Sequence, residues 1–173
     1  MLHLERVRSG HRHEGRIAAL YERSFPENER RPLGPLMDDE SGAAELLALY
    51  DDGMFVGFAC VLCWRDIRHI IYFAVEESLR GRGYGAQTLK QLYLPGRRLI
   101  ADVEEVTEGA PNAAQRARRI EFYRRCGFER SSVRYNWRAE EYVILSRGGD
   151  ITPREFGEFW RGVDEMNPEM AQY

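Results

Sequence analysis

A mixed α/β fold, with a mostly antiparallel sheet holding one parallel strand pair and helices flanking it, is the class this sequence predicts. Three observations carry that reading. The apolar runs Glu45–Tyr50 and Met54–Trp64 are joined by Asp51-Asp52-Gly53, a combination suited to a tight hairpin and therefore to antiparallel strands. The run His69–Val75 passes through a glycine-rich turn into helical spacing and then reaches Arg98–Glu104, a crossover that makes the flanking strands parallel. The chain has 173 residues, the size of one domain able to bury a sizeable core.

In chain order, Leu2, Leu4 and Val7 form a first strand, and Ile17, Leu20, Tyr21, Ser24 and Phe25 fall at helical spacing. Pro26 to Pro35 holds three prolines and a glycine, so it reads as an ordered loop, with a short helical turn over Leu36–Asp39. The two hairpin strands follow, then the strand to Val75. Ala86, Leu89, Leu92 and Tyr93 mark one face of the next helix, ended near Pro95-Gly96. In Arg98–Glu104, Leu99, Ala101 and Val103 share one face, and Ile100, Asp102 and Glu104 the other. Asn112–Arg125 is a helix that Gly127 is placed to end. Strands near Glu129–Tyr135 and Tyr142–Ser146 precede a tail helix, where Thr152 caps, Pro153 opens the first turn and Glu155 stands in the capping-box position. The expected organisation is one domain over residues 1–150 and a helical tail over 151–173. Phe156, Phe159, Trp160 and Val163 form an apolar stripe on that tail, suited to its own domain or to a second copy in a homodimer.

Lys and Arg total 25 against 28 Asp and Glu, a formal charge of −3, so no global basic field draws the chain to nucleic acid or anionic membrane. The N-terminus lacks a signal-peptide core and no apolar stretch is long enough to span a bilayer, so a cytoplasmic protein is expected. Cys60 and Cys63 sit on a strand where their side chains face opposite ways, and His11 and His13 lack a partner pattern; no metal site is expected.

The segment Arg80-Gly81-Arg82-Gly83-Tyr84-Gly85 follows a strand and opens a helix. Glycines there let the backbone approach a ligand, and the unpaired N–H groups of the helix start point at bound anionic oxygen. Arg80 and Arg82 add positive charge. A phosphorylated ligand is implied, but not through a P-loop, because Ala86-Gln87 follows Gly85, nor through a dinucleotide fingerprint, whose first glycine is missing.

A strand, an Arg-x-x-Gly-x-Gly turn, a helix, a strand, and a helix ending in Tyr123-Arg124-Arg125-Cys126-Gly127-Phe128 together resemble the GNAT superfamily of N-acetyltransferases. The resemblance is specific over Tyr72–Phe128. The loop Phe25–Pro32 and the acidic strand Ala101–Glu105 further resemble a bacterial branch whose substrates are mostly unassigned. Relatives there have a Gln-Pro-Tyr-like segment where this chain has Tyr135-Asn136-Trp137-Arg138. The resemblance implies a GNAT-like sheet whose parallel pair splays apart around acetyl-CoA, with Arg80, Gly81, Arg82, Gly83, Tyr84 and Gly85 at the pyrophosphate. It further implies Phe73, Ala74 and Val75 as backbone contacts and Asn112 at the pantetheine arm or as a helix cap.

The implied reaction is acetyl transfer from acetyl-CoA to a primary amine of a small molecule or protein, by direct attack in a ternary complex. A neutral amine must attack, yet an alkyl amine has a pKa of about 10.4, so a base or water chain must take a proton. Asp102 and Glu104 share a strand face, and their repulsion is expected to raise one of them toward a useful base; solvated strand-end acids are the plainer reading. Glu27 and Glu29 compete as bases or as partners of a cationic acceptor, with Arg30 beside them in the loop that approaches the acceptor. Tyr123 matches the family's general acid, also touching the cofactor. Arg116, Arg118, Arg119, Arg124 and Arg125 form a basic helix, most simply a solvated face. A module that binds acyl-CoA to regulate or scaffold a partner without turnover is the alternative function.

Overall fold

The computed structural model describes residues 1–172. Seven strands form one sheet: β1 (Leu2–Arg6), β2 (Ala44–Asp51), β3 (Met54–Trp64), β4 (Ile67–Val75), β5 (Arg98–Glu104), β6 (Glu129–Trp137) and β7 (Glu140–Arg147). Their order is β1-β2-β3-β4-β5-β7-β6. Every neighbouring pair is antiparallel except β4 and β5. This is the sheet that the hairpin and the crossover predict.

The helices divide between the faces. On one face α1 (Glu14–Ser24), α2 (Leu33–Met37) and α5 (Pro153–Met166) bury Ile17, Leu20, Leu36, Phe159 and Val163 against the sheet. On the other, α3 (Tyr84–Leu92) and α4 (Ala113–Arg125) bury Leu89, Leu92 and Tyr123 against Leu99, Ala101 and Val103. The short helix α2 starts three residues earlier than expected, with Pro32 just before it. The tail stripe Phe156, Phe159, Trp160 and Val163 packs on the sheet of its own chain. Thr152 and Glu155 form the capping box, each side chain bonded to the other's backbone N–H. At Gly162 the helix comes so near the sheet that a Cβ would overlap the Trp64 indole. The end of the tail, Tyr173, lies outside the described residues. Among the described residues no helix is long and apolar enough to cross a membrane.

The feature that positions the site is a split in the sheet. β4 and β5 pair only from Ile67↔Arg98 to Ile70↔Ala101. Beyond that point β4 keeps β3 as far as Val75↔Gly57, and β5 keeps β7 as far as Glu104↔Tyr142. Each strand follows its outer partner, so a wedge opens between Ile71–Val75 and Asp102–Glu104.

Candidate active site

The glycine turn stands at the mouth of the wedge. Gly83 takes φ +83° and ψ 0° at the N-cap of α3, a left-handed conformation that residues with a Cβ resist, and no side chain caps the helix. Open space surrounds Gly81, and a Cβ at Gly85 would come within 3.0 Å of the Phe122 ring. Bare backbone N–H groups therefore face outward from a start packed tightly beneath. Arg80 Nε donates to the Val75 carbonyl at 3.2 Å, tying the turn to the strand end, and Arg82 is exposed. The Tyr84 side chain is buried and its hydroxyl donates to Asp51 at 2.8 Å, so it is the backbone of this position that stands in the turn. Phe73, Ala74 and Val75 lie on β4 past the split, with an unpaired edge toward the wedge. Asn112 occupies the N-cap of α4 without a side-chain capping bond and lines the adjoining cleft.

That cleft, about 730 Å³, runs between Phe156 and Trp160 of α5 on one side and Arg116 and Arg119 of α4 on the other. Asp102 and Glu104 reach it together, as their alternation on β5 predicts, and each is engaged by neighbours from other segments. Asp102 Oδ1 meets His69 Nε2 at 3.0 Å, and Oδ2 accepts from the Tyr135 hydroxyl at 2.5 Å. Burial pushes the Asp102 carboxyl up, but its interaction with His69 and the hydrogen bonds from His69 and Tyr135 outweigh it and hold it below the ordinary aspartate value. The expected repulsion-raised base is therefore not Asp102, whose oxygens are both engaged. Glu104 pairs with Arg116 Nε at 2.8 Å, and Arg116 also reaches Glu140 at 2.8 Å. Arg116 is buried, which corrects the solvated-face reading for that arginine.

The carboxyl that is raised belongs to Glu29. Burial is the main cause, and the Glu104 and Asp102 charges add to it. Hydrogen bonds hold the backbone of its loop in place at this point. The Tyr72 hydroxyl donates to the Glu29 carbonyl at 2.9 Å, the Arg31 N–H donates to Tyr21 and Tyr72, and the Tyr21 hydroxyl donates to the Arg31 carbonyl. Arg30 lines the cleft beside Glu29. Glu27 does not; it is exposed on the outer side of the loop.

Tyr123 stands on the opposite face of β5 from the carboxylates, packed edge-on to Phe122 and Phe128. Burial pushes its phenol up to about 12, further from the ordinary value than the sequence implies. The Asp102 charge on the other face of β5 adds to that rise. Sequence reasoning missed His69, Tyr135 and Tyr142, which with Phe156 and Trp160 build the aromatic wall. His69 carried a signal: it is a polar residue inside an apolar strand, in register with Ile100 and so diagonal to Asp102 on the same face.

Residues 42–130, more than half of the chain, match the acetyltransferase (GNAT) domain model. The chain belongs to the GNAT family. Its place among the N-acetyltransferases rests on that match, and solved proteins share the fold. A Bacteroides thetaiotaomicron protein assigned to the GNAT family superposes with a TM-score of 0.76 at 23% identity, covering 96% of this chain and 98% of its own. A Bacillus subtilis acetyltransferase solved with CoA gives 0.56 at 16%, covering 88% and 100%. A GNAT acetyltransferase of Elizabethkingia anophelis with acetyl-CoA bound gives 0.53 at 14%, covering 84% and 97%. At these identities the likeness is one of fold. A comparison with curated proteins yields no match to this GNAT chain.

Proposed function

We propose that this protein transfers an acetyl group from acetyl-CoA to a primary amine by direct attack in a ternary complex. The observation that carries the proposal is the wedge: pairing of β4 with β5 stops at Ile70, beside an uncapped helix start and in line with a cleft holding an unpaired carboxylate. The bare turn around Gly83 fits a pyrophosphate: a side chain at Gly83 would be strained by the positive φ, and one at Gly85 would press on the Phe122 ring and shift the helix start.

Acetyl-CoA would supply the acetyl group as an activated thioester. The N–H groups of Gly83, Tyr84 and Gly85 hold the pyrophosphate, with Arg80 and Arg82 adding charge, and the free edge of Phe73–Val75 with Asn112 holds the pantetheine arm. A backbone N–H on that edge also stabilises negative charge developing on the thioester oxygen. Glu29 takes the proton that the amine nitrogen loses as the N–C bond forms; its raised carboxyl suits a base near neutral pH better than Asp102 does. Tyr123 donates to the sulfur as the C–S bond breaks, and both side chains exchange their protons with water afterwards. Asp102 positions His69 and Tyr135.

Calorimetric titration of acetyl-CoA, followed by assay of thiol release against a panel of amines, tests this reading. Binding is expected in the wild type and lost in Gly83→Glu, and thiol release is expected only with an amine present. Binding without release for any amine would leave an acyl-CoA-binding module; folded protein that fails to bind would overturn both.

A further inference from the structure

The acetyl-transfer reading leaves the acceptor open, and the cleft's free charges narrow it. Most charged side chains there are already engaged. Asp102 is held by His69 and Tyr135, and Glu104 by Arg116. Arg31 donates to the Met170 carbonyl at 2.9 Å and lies over the Trp160 ring. Arg138 reaches the Asn28 carbonyl and covers Trp137.

Two consecutive residues between these are not engaged. Glu29 feels burial and the surrounding charges, with no hydrogen bond among the influences on it. Arg30 lines the same cleft with its Nε buried and without an acceptor. They do not pair with each other, and the backbone that carries them is pinned by Tyr21 and Tyr72 on either side. An orphaned guanidinium N–H carries a desolvation penalty that an incoming acceptor would remove. The planar fork of arginine matches a carboxylate or phosphate. Arg119 of α4 lines the same cleft and lies near enough to act on Glu29.

We propose that the acceptor is a zwitterion, an amine that also carries a carboxylate or phosphate, with Arg30 binding the anionic group and Glu29 facing the amine. This inference rests on the acetyl-transfer reading. A simple amine would leave Arg30 unanswered, and a simple anion would leave Glu29 unanswered; only a ligand with both groups answers the pair.

Matched acceptors test it. α-Amino acids are compared with their decarboxylated amines, and phosphoethanolamine with ethanolamine, in the thiol-release assay. The anionic member of a pair is expected to have the higher kcat/KM by about ten- to a hundredfold, mostly through KM, the worth of one charge-assisted contact. Which pair shows the preference separates carboxylate from phosphate. In Arg30→Gln the ratio is expected to fall toward one, and in Arg30→Lys to a value between. A wild-type ratio at or below one in both pairs overturns the proposal, as does a ratio that Arg30→Gln leaves intact or an Arg30→Gln protein that has lost acetyl-CoA binding instead. Should acetyl-CoA bind but no amine release thiol, the transfer reading fails. Calorimetry of the same pairs on the acetyl-CoA-loaded protein then decides the inference: selective binding of the anionic member supports it, and its absence overturns it.

Discussion

Tyr135 donates its hydroxyl to Oδ2 of Asp102 across 2.5 Å, joining a residue of β6 to the carboxylate at the split edge of β5. Burial and the Asp102 charge push the Tyr135 phenol far up, so it remains a donor at every working pH. With His69 on the other oxygen, Asp102 is a fixed acceptor that orders the aromatic wall.

Asp102→Asn is therefore expected to reduce stability by roughly 1–3 kcal/mol, the range for breaking buried charge-assisted hydrogen bonds. The folded carboxyl lies below its unfolded value of about 3.9, so its contribution is full above that pH and lost as pH falls through the folded value. Thermal melts of the two proteins should begin to approach each other below about pH 3.9 and converge only as pH falls past the lower, folded value. The variant should keep the wild-type pH–rate limbs; loss of the ascending limb would make Asp102 the base.

Glu29→Gln is expected to lower kcat/KM for the amine by about 10²–10⁴-fold while acetyl-CoA affinity stays unchanged. Its carboxyl is raised in the folded state, so the ionised form opposes folding near neutral pH and the variant should be no less stable than wild type. Wild-type activity should fall as pH drops through a value above the ordinary glutamate range. A pH–rate profile and a melt on the same samples check both statements.

Tyr123→Phe should retain acetyl-CoA binding and lose about 10–10³-fold in kcat, read by steady-state kinetics beside calorimetry. With a phenol pushed up to about 12, Tyr123 contributes no limb to the profile in the working range. Full activity in this variant would place the leaving-group proton elsewhere.

Gly162→Ala is expected to destabilise the fold by roughly 1–3 kcal/mol, because the new methyl overlaps the Trp64 indole and the helix must move off the sheet. Denaturant melts report the loss. An unchanged midpoint would show that Trp64 simply swings aside.

Local chemistry made much of this protein legible in its sequence. The hairpin at Asp51-Asp52-Gly53, the crossover between β4 and β5, the glycine turn before α3 and the capping box at Thr152–Glu155 each depend on residues close together in the chain. Periodicity also put Asp102 and Glu104 on one face of β5, where they are found. The structure alone decided what those groups do. His69 and Tyr135 each lie 33 residues from Asp102, and their approach holds its carboxyl low, so it is not the raised member of the pair. Arg116 turned inward to Glu104, Tyr84 turned away from the turn to Asp51, and Glu29 became the raised carboxyl. A side chain's charge state depends on burial and on neighbours from distant segments, and alternation along one strand carries no information about what the fold sets across from it.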